Sequence, residues 1–239
     1  METLFSGLLG FQLKQVIMII IGLILIWLAI KHKYEPTLLL PIGFGTILAN
    51  IPFSAAVGEH SPLGILFKAG IDTELFPLLI FIAIGAMIDF TPLLKNPFML
   101  LFGAAAQLGI FVTIVLAAGL GFEIKEAASI GIIGAADGPT SIYVANRFAP
   151  NLLGAISVAA YSYMALVPII QPPVIRLLTT KKERLIRMDY HSGDVPQIVK
   201  IIFPIAVTII AGIFVPAALA LIGFLMFGNL IRESGVLEG

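Results

Sequence analysis

Cysteine is absent from the 239-residue chain, and charged residues are scarce. Without a thiol the protein forms no disulfide, has no thiolate nucleophile and cannot ligate an iron–sulfur cluster through cysteine. Charged residues make up 12% of the chain, about half of the roughly 25% that soluble domains carry. The 14 basic and 14 acidic residues balance to a net charge of zero, which argues against a nucleic-acid partner.

Signature motifs of soluble enzymes are missing too. The sequence has no Walker A lysine loop, no G-x-S-x-G elbow, no H-E-x-x-H and no dinucleotide fingerprint. ATP hydrolysis by this chain is therefore not expected.

Apolar residues dominate instead: they form 59% of the chain, and the mean hydropathy is +1.06. Because a spanning helix needs about 20 apolar residues, we interpret the uncharged stretches as membrane segments. They are residues 15–30, 36–58, 75–88, 96–122, 127–146, 148–175 and 201–231. Residues 59–74 are predicted to form a loop with an interfacial piece. The pattern predicts an all-α, polytopic integral membrane protein whose first segment is an uncleaved anchor.

Two basic stretches orient the chain. By the positive-inside rule, Lys31–Lys33 and the polar loop 176–200 both face the cytoplasm. Five apolar segments lie between them, whereas two loops on one side require an even number of crossings. One segment therefore does not cross, and 127–146 is the best candidate for a broken or re-entrant helix, with 36–58 as the alternative.

The whole chain, 1–239, is predicted to be a single transmembrane domain. An internal echo relates Pro77–Asp89 to Pro216–Asn229, because in both a proline opens an apolar run that passes glycine and methionine into a polar residue. Such echoes accompany the inverted repeats of transporters. We expect a first repeat over residues 11–175, the cytoplasmic loop 176–200, and the start of a second repeat over 201–239.

A single carboxylate, Asp137, lies midway along segment 127–146 within Gly134-Ala-Ala-Asp-Gly-Pro-Thr-Ser141. A charge at the bilayer centre costs roughly 2.5–3.5 kcal/mol on insertion scales. Gly138 and Pro139 interrupt the helix, and irregular backbone survives at that depth only inside protein or beside a water-filled cavity. Asp137 with the hydroxyls of Thr140 and Ser141 would form an all-oxygen site suited to a hard cation such as sodium.

Asp137 has a structural alternative, compatible with the first: it could cap a helix that begins near Pro139. Tyr163 lies near the middle of segment 148–175, where a tyrosine needs a hydrogen-bond partner, and we expect it at a depth similar to that of Asp137. Asp89, at the end of segment 75–88, is interpreted as interfacial or capping.

The Gly134–Ser141 run, Tyr163 in Ala160-Tyr-Ser-Tyr-Met-Ala165 and the segment Pro168–Pro173 together resemble one family. It comprises the beta subunits of the biotin-dependent, sodium-translocating decarboxylases for oxaloacetate, methylmalonyl-CoA, glutaconyl-CoA and malonate. Three further segments are similar to that family: Tyr34–Gly45, Gly85–Phe90 and Met226–Ser234. The likeness covers nearly the whole chain.

The resemblance implies a carboxybiotin decarboxylase subunit that exports sodium and consumes a proton, with Asp137 as the sodium-site aspartate and Tyr163 in the same pathway. Biotin would be carried by a partner, not bound covalently here. Expected partners are a carboxyltransferase alpha subunit, a biotin carrier protein, a small gamma or delta subunit and further copies of the chain, in a bacterial inner membrane. Members of the family continue well past Gly239, so we expect this chain to hold the Asp137 half of the site.

Two rival interpretations remain open. In the first, the protein is a secondary carrier in which sodium drives a carboxylate through a broken-helix site. In the second, it is a membrane anchor with no transport role, which leaves Asp137 unexplained.

Overall fold

The computed structural model describes residues 7, 10–34, 36–187 and 195–236. Helices make up most of these residues and no strand occurs among them, which confirms the all-α prediction. The α-helices are α1 Leu13–His32, α2 Pro36–Asn50, α3 Pro62–Leu66, α4 Leu75–Met87, α5 Thr91–Lys95, α6 Leu100–Gly119, α7 Ile124–Gly131, α8 Gly138–Phe148, α9 Leu153–Leu178, α10 Lys181–Arg184, α11 Gln197–Phe214 and α12 Leu219–Glu233.

Within the described part, four helical segments are long and apolar enough to cross a membrane: Leu13–His32, Pro97–Gly119, Gln197–Phe214 and Pro216–Glu233. Two bent pairs could each add a broken span or a re-entrant loop: Pro62–Asp72 with Leu75–Met87, and Pro150–Met164 with Ile169–Leu178. The protein is therefore a multi-pass membrane protein with interrupted helices, as predicted.

Two segments differ from the sequence-based expectation. Residues 62–72, predicted as loop, are helical: α3 runs directly into a π-helix, Phe67–Asp72. The stretch 201–231, expected to hold one span and part of another, forms two full helices, α11 and α12. The charged residues at 59–74 are typical of a loop, which is why the helix there was not predicted. No charged residue lies between α11 and α12 to mark the boundary at Val215.

The described chain falls into two compact units, of which the first comprises the residues up to Ala69 together with Ser157–Ile186. In it, α1 and α2 pack along each other over a small core of Leu25, Ala29 and Leu39. Gly22 and Gly43 mark their closest approach, since a Cβ atom added at either would lie 2.7 Å from the carbonyl oxygen of the other. Small residues of this kind let transmembrane helices approach closely.

The second unit comprises Gly70–Ile156 and the residues from Arg187 onward, and α4 and α12 make its most extensive helix pair. Gly85 and Gly228 lie where the two backbones touch, because a Cβ atom at either would overlap a carbonyl oxygen of the other helix. Asn229, which is 1% exposed, donates from Nδ2 to the carbonyl of Ile88 at 3.0 Å. The end of α4 is thereby capped from another helix.

The same unit holds the Asp137 segment. α7 packs on α6 and on α8, and α8 also contacts α4. Ala145, Leu153 and Ile156 form a buried cluster, against which partly buried aliphatic side chains pack. These are Ile71, Ile130, Ile133, Ile142 and Leu152. α7 and α8 have 8 and 11 residues, so each is too short to cross a bilayer alone, and α8 is held in place by packing against its neighbours.

Candidate cation site

The helix that carries Asp137 is interrupted immediately before it. A 3-10 turn, Ile132–Ala135, ends at Ala136, whose backbone is left-handed with φ 54° and ψ 37°. Asp137 is extended, with φ −128° and ψ 101°, and α8 begins at Gly138 with Pro139 in its first turn. Proline fits that turn because the missing N–H would have no partner there. The left-handed alanine is a strained conformation of the kind that clusters at functional sites.

Asp137 caps α8, as the structural alternative predicted. The amide of Thr140 donates to Asp137 Oδ1 at 3.4 Å, and the Thr140 hydroxyl donates to Oδ2 at 2.6 Å. A carboxylate at a helix N-terminus is also favoured by the helix dipole. The local sequence thus brings together the carboxylate and one of the two predicted hydroxyls.

Ser141 points elsewhere. Its hydroxyl donates to the backbone carbonyl of Asp137 at 2.9 Å, and the residue is fully buried, with 0% exposure. The hydroxyl therefore lies against the main-chain oxygen of Asp137 and not against the carboxylate. The segment gathers a carboxylate, a carbonyl oxygen and two hydroxyls over five residues.

Tyr163 lies on α9, within the first of the two compact units, whereas Asp137 lies within the second. The tyrosine is 39% exposed and lines a concave surface with Val167 and Gln171.

One polar contact of α8 was not predicted. Asn146 of α8 donates from Nδ2 to the carbonyl of Ile71 at 3.2 Å, in the π-helical turn before α4. The sequence signal was a lone amide side chain in the uncharged stretch ahead of Arg147; its partner is 75 residues away, and only the tertiary fold identifies it. Asn146 therefore links α8 to a second irregular segment, the π-helical turn. Such turns are frequent at functional sites.

Asp89 lies two residues ahead of α5, whose N-cap residue is Phe90. Asp89 Oδ1 accepts from the Thr91 amide at 2.9 Å, ahead of α5. Hydrogen bonding from the Thr91 side chain and amide, together with the charges of Arg232 and Lys200, holds the pKa of Asp89 below its ordinary value.

The side-chain and carbonyl atoms of this segment that could bind a cation are all oxygens, and Asp137 is the one acid among them. Calcium and magnesium sites usually collect several carboxylates, and no cluster of three histidine, aspartate or glutamate side chains occurs in the described residues. One negative charge matched with neutral oxygens fits a monovalent hard cation, or a proton that exchanges with it.

Comparison with known proteins agrees with this chemistry. Residues 14–239 match the family model described as Na+-transporting oxaloacetate decarboxylase beta subunit. The chain is 54% identical to the methylmalonyl-CoA decarboxylase subunit beta of Veillonella parvula, covering 98% of this chain and 61% of that relative. It is 52% identical to the glutaconyl-CoA decarboxylase subunit beta of Acidaminococcus fermentans, covering 98% and 62%.

A third relative, the oxaloacetate decarboxylase beta chain of Klebsiella pneumoniae, is 43% identical over 97% of this chain and 67% of its own length. The chain thus spans about three fifths of the length of the first two relatives. Because the family match covers nearly the whole chain, the protein belongs to the family of Na+-transporting oxaloacetate decarboxylase beta subunits.

Proposed function

We propose that the protein is the membrane subunit of a sodium-pumping decarboxylase, which decarboxylates carboxybiotin held by a partner and couples this to sodium export. The observation that carries the proposal is the Asp137 carboxylate, held 2.6 Å from the Thr140 hydroxyl at the break between a 3-10 turn and α8. Membership of the decarboxylase beta-subunit family supplies the reaction class.

Sodium is the cargo, and we assign Asp137, Thr140 and Ser141 as its ligands. Thr140 already contacts the carboxylate. The Ser141 hydroxyl donates to the backbone carbonyl of Asp137, so both of these oxygens belong to the segment proposed to bind the ion. Water or other protein segments would complete the coordination shell.

A proton balances the chemistry. Carboxybiotin loses CO₂ when its N–CO₂ bond breaks, and the nitrogen left behind takes up one proton. We propose that sodium and this proton compete for Asp137: a proton that arrives there displaces sodium and is then passed to the biotin nitrogen. Moving one sodium ion against 100 mV requires about 2.3 kcal/mol, and decarboxylation is the proposed source. Tyr163 is proposed to lie on the same proton or sodium pathway.

The proposed assembly follows from the family. A carboxyltransferase alpha subunit would load biotin on a carrier protein, a small gamma or delta subunit would join them at the bacterial inner membrane, and copies of the chain would associate. The basic loop 176–200 is proposed to face the cytoplasm, the side from which the soluble carboxyltransferase would approach.

The repeat organisation remains part of the proposal, with a first repeat over 11–175 and a second beginning at 201. Support comes from the α4–α12 pair. Phe81–Ile88 reads F-I-A-I-G-A-M-I and Phe224–Ile231 reads F-L-M-F-G-N-L-I, with Gly85 and Gly228 at the same place in each and at the same helix contact. This register differs from the one that aligns Gly85 with Gly223.

Sodium export tests the proposal directly. The chain would be co-expressed with the proposed partner subunits, reconstituted in vesicles, and assayed for radioactive sodium movement after the decarboxylation substrate is added. Asp137→Asn should abolish movement. Asp89→Asn is the matched control, since it makes the same chemical change at another aspartate that accepts from a threonine amide at the start of a helix. Export that survives Asp137→Asn would refute the proposal.

Adding avidin distinguishes the decarboxylase hypothesis from the carrier hypothesis. It sequesters biotin, so export by a decarboxylase stops, whereas sodium-driven carboxylate uptake by a secondary carrier continues. Sodium movement that persists in avidin would favour the carrier, and no sodium movement in any condition would favour the anchor.

A further inference from the structure

Residues 176–186 run from the last turn of α9 through α10, and we call this segment the 176–186 turn. It combines exposed aliphatic side chains with cations. Leu177 and Leu178 at the end of α9 are 84% and 76% exposed, and Leu185 and Ile186 after α10 are 82% and 71% exposed. Four cations are interleaved with them: Arg176, Lys181, Lys182 and Arg184. All four are exposed.

The one acid of this turn is engaged locally. Glu183 accepts from the amide of Thr180 at 2.7 Å and from its hydroxyl at 2.8 Å. These bonds lower the pKa of Glu183 and hold its carboxylate at the N-terminus of α10. Four positive charges against one negative charge leave the 176–186 turn with a net charge of +3.

Arg184 fixes the turn to the end of α9. Its guanidinium donates to the carbonyl of Thr179, to the Thr179 hydroxyl at 3.0 Å and to the carbonyl of Arg176 at 3.4 Å. Cations at a helix C-terminus satisfy its last carbonyls and its dipole. The turn therefore cannot swing far from the helix, and its cations stay within a few residues of an apolar segment.

We propose that the 176–186 turn is an interfacial site for anionic phospholipid headgroups. Basic clusters directly after a membrane helix attract anionic lipid, and aliphatic side chains on the same segment insert at the boundary between headgroups and acyl chains. A soluble acidic protein would match the charges. It would not explain four aliphatic side chains at over 70% exposure, immediately beyond the end of an apolar helix.

The absence of cysteine allows a clean test on the whole chain. Ile186→Cys carries an environment-sensitive fluorophore, and the protein is placed in nanodiscs of phosphatidylcholine with increasing phosphatidylglycerol. We expect a blue shift as phosphatidylglycerol rises, reversed in 1 M salt, where screening acts beyond about 3 Å. In Lys181→Gln/Lys182→Gln most of the shift at a given phosphatidylglycerol content should be lost, since each lysine removed weakens the attraction to the anionic surface about fivefold.

Two controls sharpen the comparison. Lys181→Arg/Lys182→Arg keeps the charge and should keep the shift. A fluorophore at Val57→Cys, which is also exposed but has no cation within ten residues, should not respond to phosphatidylglycerol. The same spectrum in neutral and anionic discs, or a shift that the double glutamine variant retains, would overturn the proposal. A shift that needs an added soluble subunit and ignores lipid charge would also overturn it, in favour of a protein docking surface.

Discussion

The hydroxyl of Thr140 lies 2.6 Å from Oδ2 of Asp137, one turn into the helix that Asp137 caps. The pair needs no long-range contact to form, since both residues belong to the same N-terminal turn. A hydroxyl in this position can donate a hydrogen bond to the carboxylate, or it can offer a lone pair to a cation that binds there. The two side chains are therefore the core of the proposed sodium site.

Thr140→Val should weaken sodium binding. The substitution keeps the shape of the side chain and removes its oxygen, and bonds to charged groups are worth about 1.5–3 kcal/mol. We expect the sodium concentration for half-maximal decarboxylation in the assembled complex to rise about tenfold or more. Thr140→Ser keeps the hydroxyl and should stay close to the original value. Equal behaviour of the two variants would contradict a role for this oxygen.

Substitutions at Ala136 should change stability through the left-handed backbone conformation of this residue. A left-handed conformation costs an L-residue roughly 1–2 kcal/mol, and glycine avoids that cost while adding about 0.4–1 kcal/mol of unfolded-state entropy. Ala136→Gly should therefore raise the free energy of unfolding by up to about 1 kcal/mol. Ala136→Val should lower it, since a β-branched residue tolerates this region poorly. Denaturant titration in detergent measures both, and a valine variant as stable as the original would show that the left-handed turn is not required.

Asn146→Ala should destabilise the second unit by about 1 kcal/mol, because a typical hydrogen bond contributes 0.5–1.5 kcal/mol and this one joins α8 to the turn before α4. Asn151→Ala is the matched control. That amide bonds to Glu126 at an exposed site and should change the unfolding free energy by less than about 0.5 kcal/mol. Equal losses in the two variants would argue against a special role for the Asn146 bond.

Gly85→Ala and Gly228→Ala should both be costly. The added methyl group would meet backbone of the opposing helix, which cannot move aside as a flexible side chain can, and overpacking typically costs about 1–3 kcal/mol. Gly103→Ala on α6 has nothing within 4 Å and should gain about 0.5–1 kcal/mol from helix propensity. Thermal unfolding of the three variants in detergent compares them, and a tolerated Gly85→Ala would mean that α4 and α12 lie further apart.

The lowered pKa of Asp89 predicts that the free energy of unfolding falls at acidic pH. Its pKa is lowered in the folded protein, chiefly by hydrogen bonding from Thr91, so the unfolded chain binds a proton more readily. The contribution is complete above the ordinary aspartate value of about 3.9 and disappears as the pH falls through the lowered folded value. Asp89→Asn should melt earlier than the original at pH 6 in detergent, and this difference should shrink at pH 3. A difference that is constant with pH would point to a cause other than ionisation.

The membrane class and the Asp137 turn could be predicted locally. Uncharged runs mark apolar helices because charge is expensive in lipid, and Asp-Gly-Pro specifies a helix start through the cap and the proline ring alone. No charge separates α11 from α12, so the start of the second helix was signalled by Pro216, which opens the apolar run of the internal echo. The helix at 62–72 was missed because Lys68 and Asp72 suggested a loop, although Lys68 pairs with Glu59 at the surface.

By itself the sequence determined an all-α membrane protein with one acid at a helix break, since composition and turn chemistry act over a few residues. Only the tertiary structure decided the long-range contacts: Asn146 of α8 bonds to the carbonyl of Ile71, and Gly85 meets Gly228 across α4 and α12. These contacts join residues 75 and 143 positions apart. Their energies depend on how closely two helices pack, which no local pattern encodes.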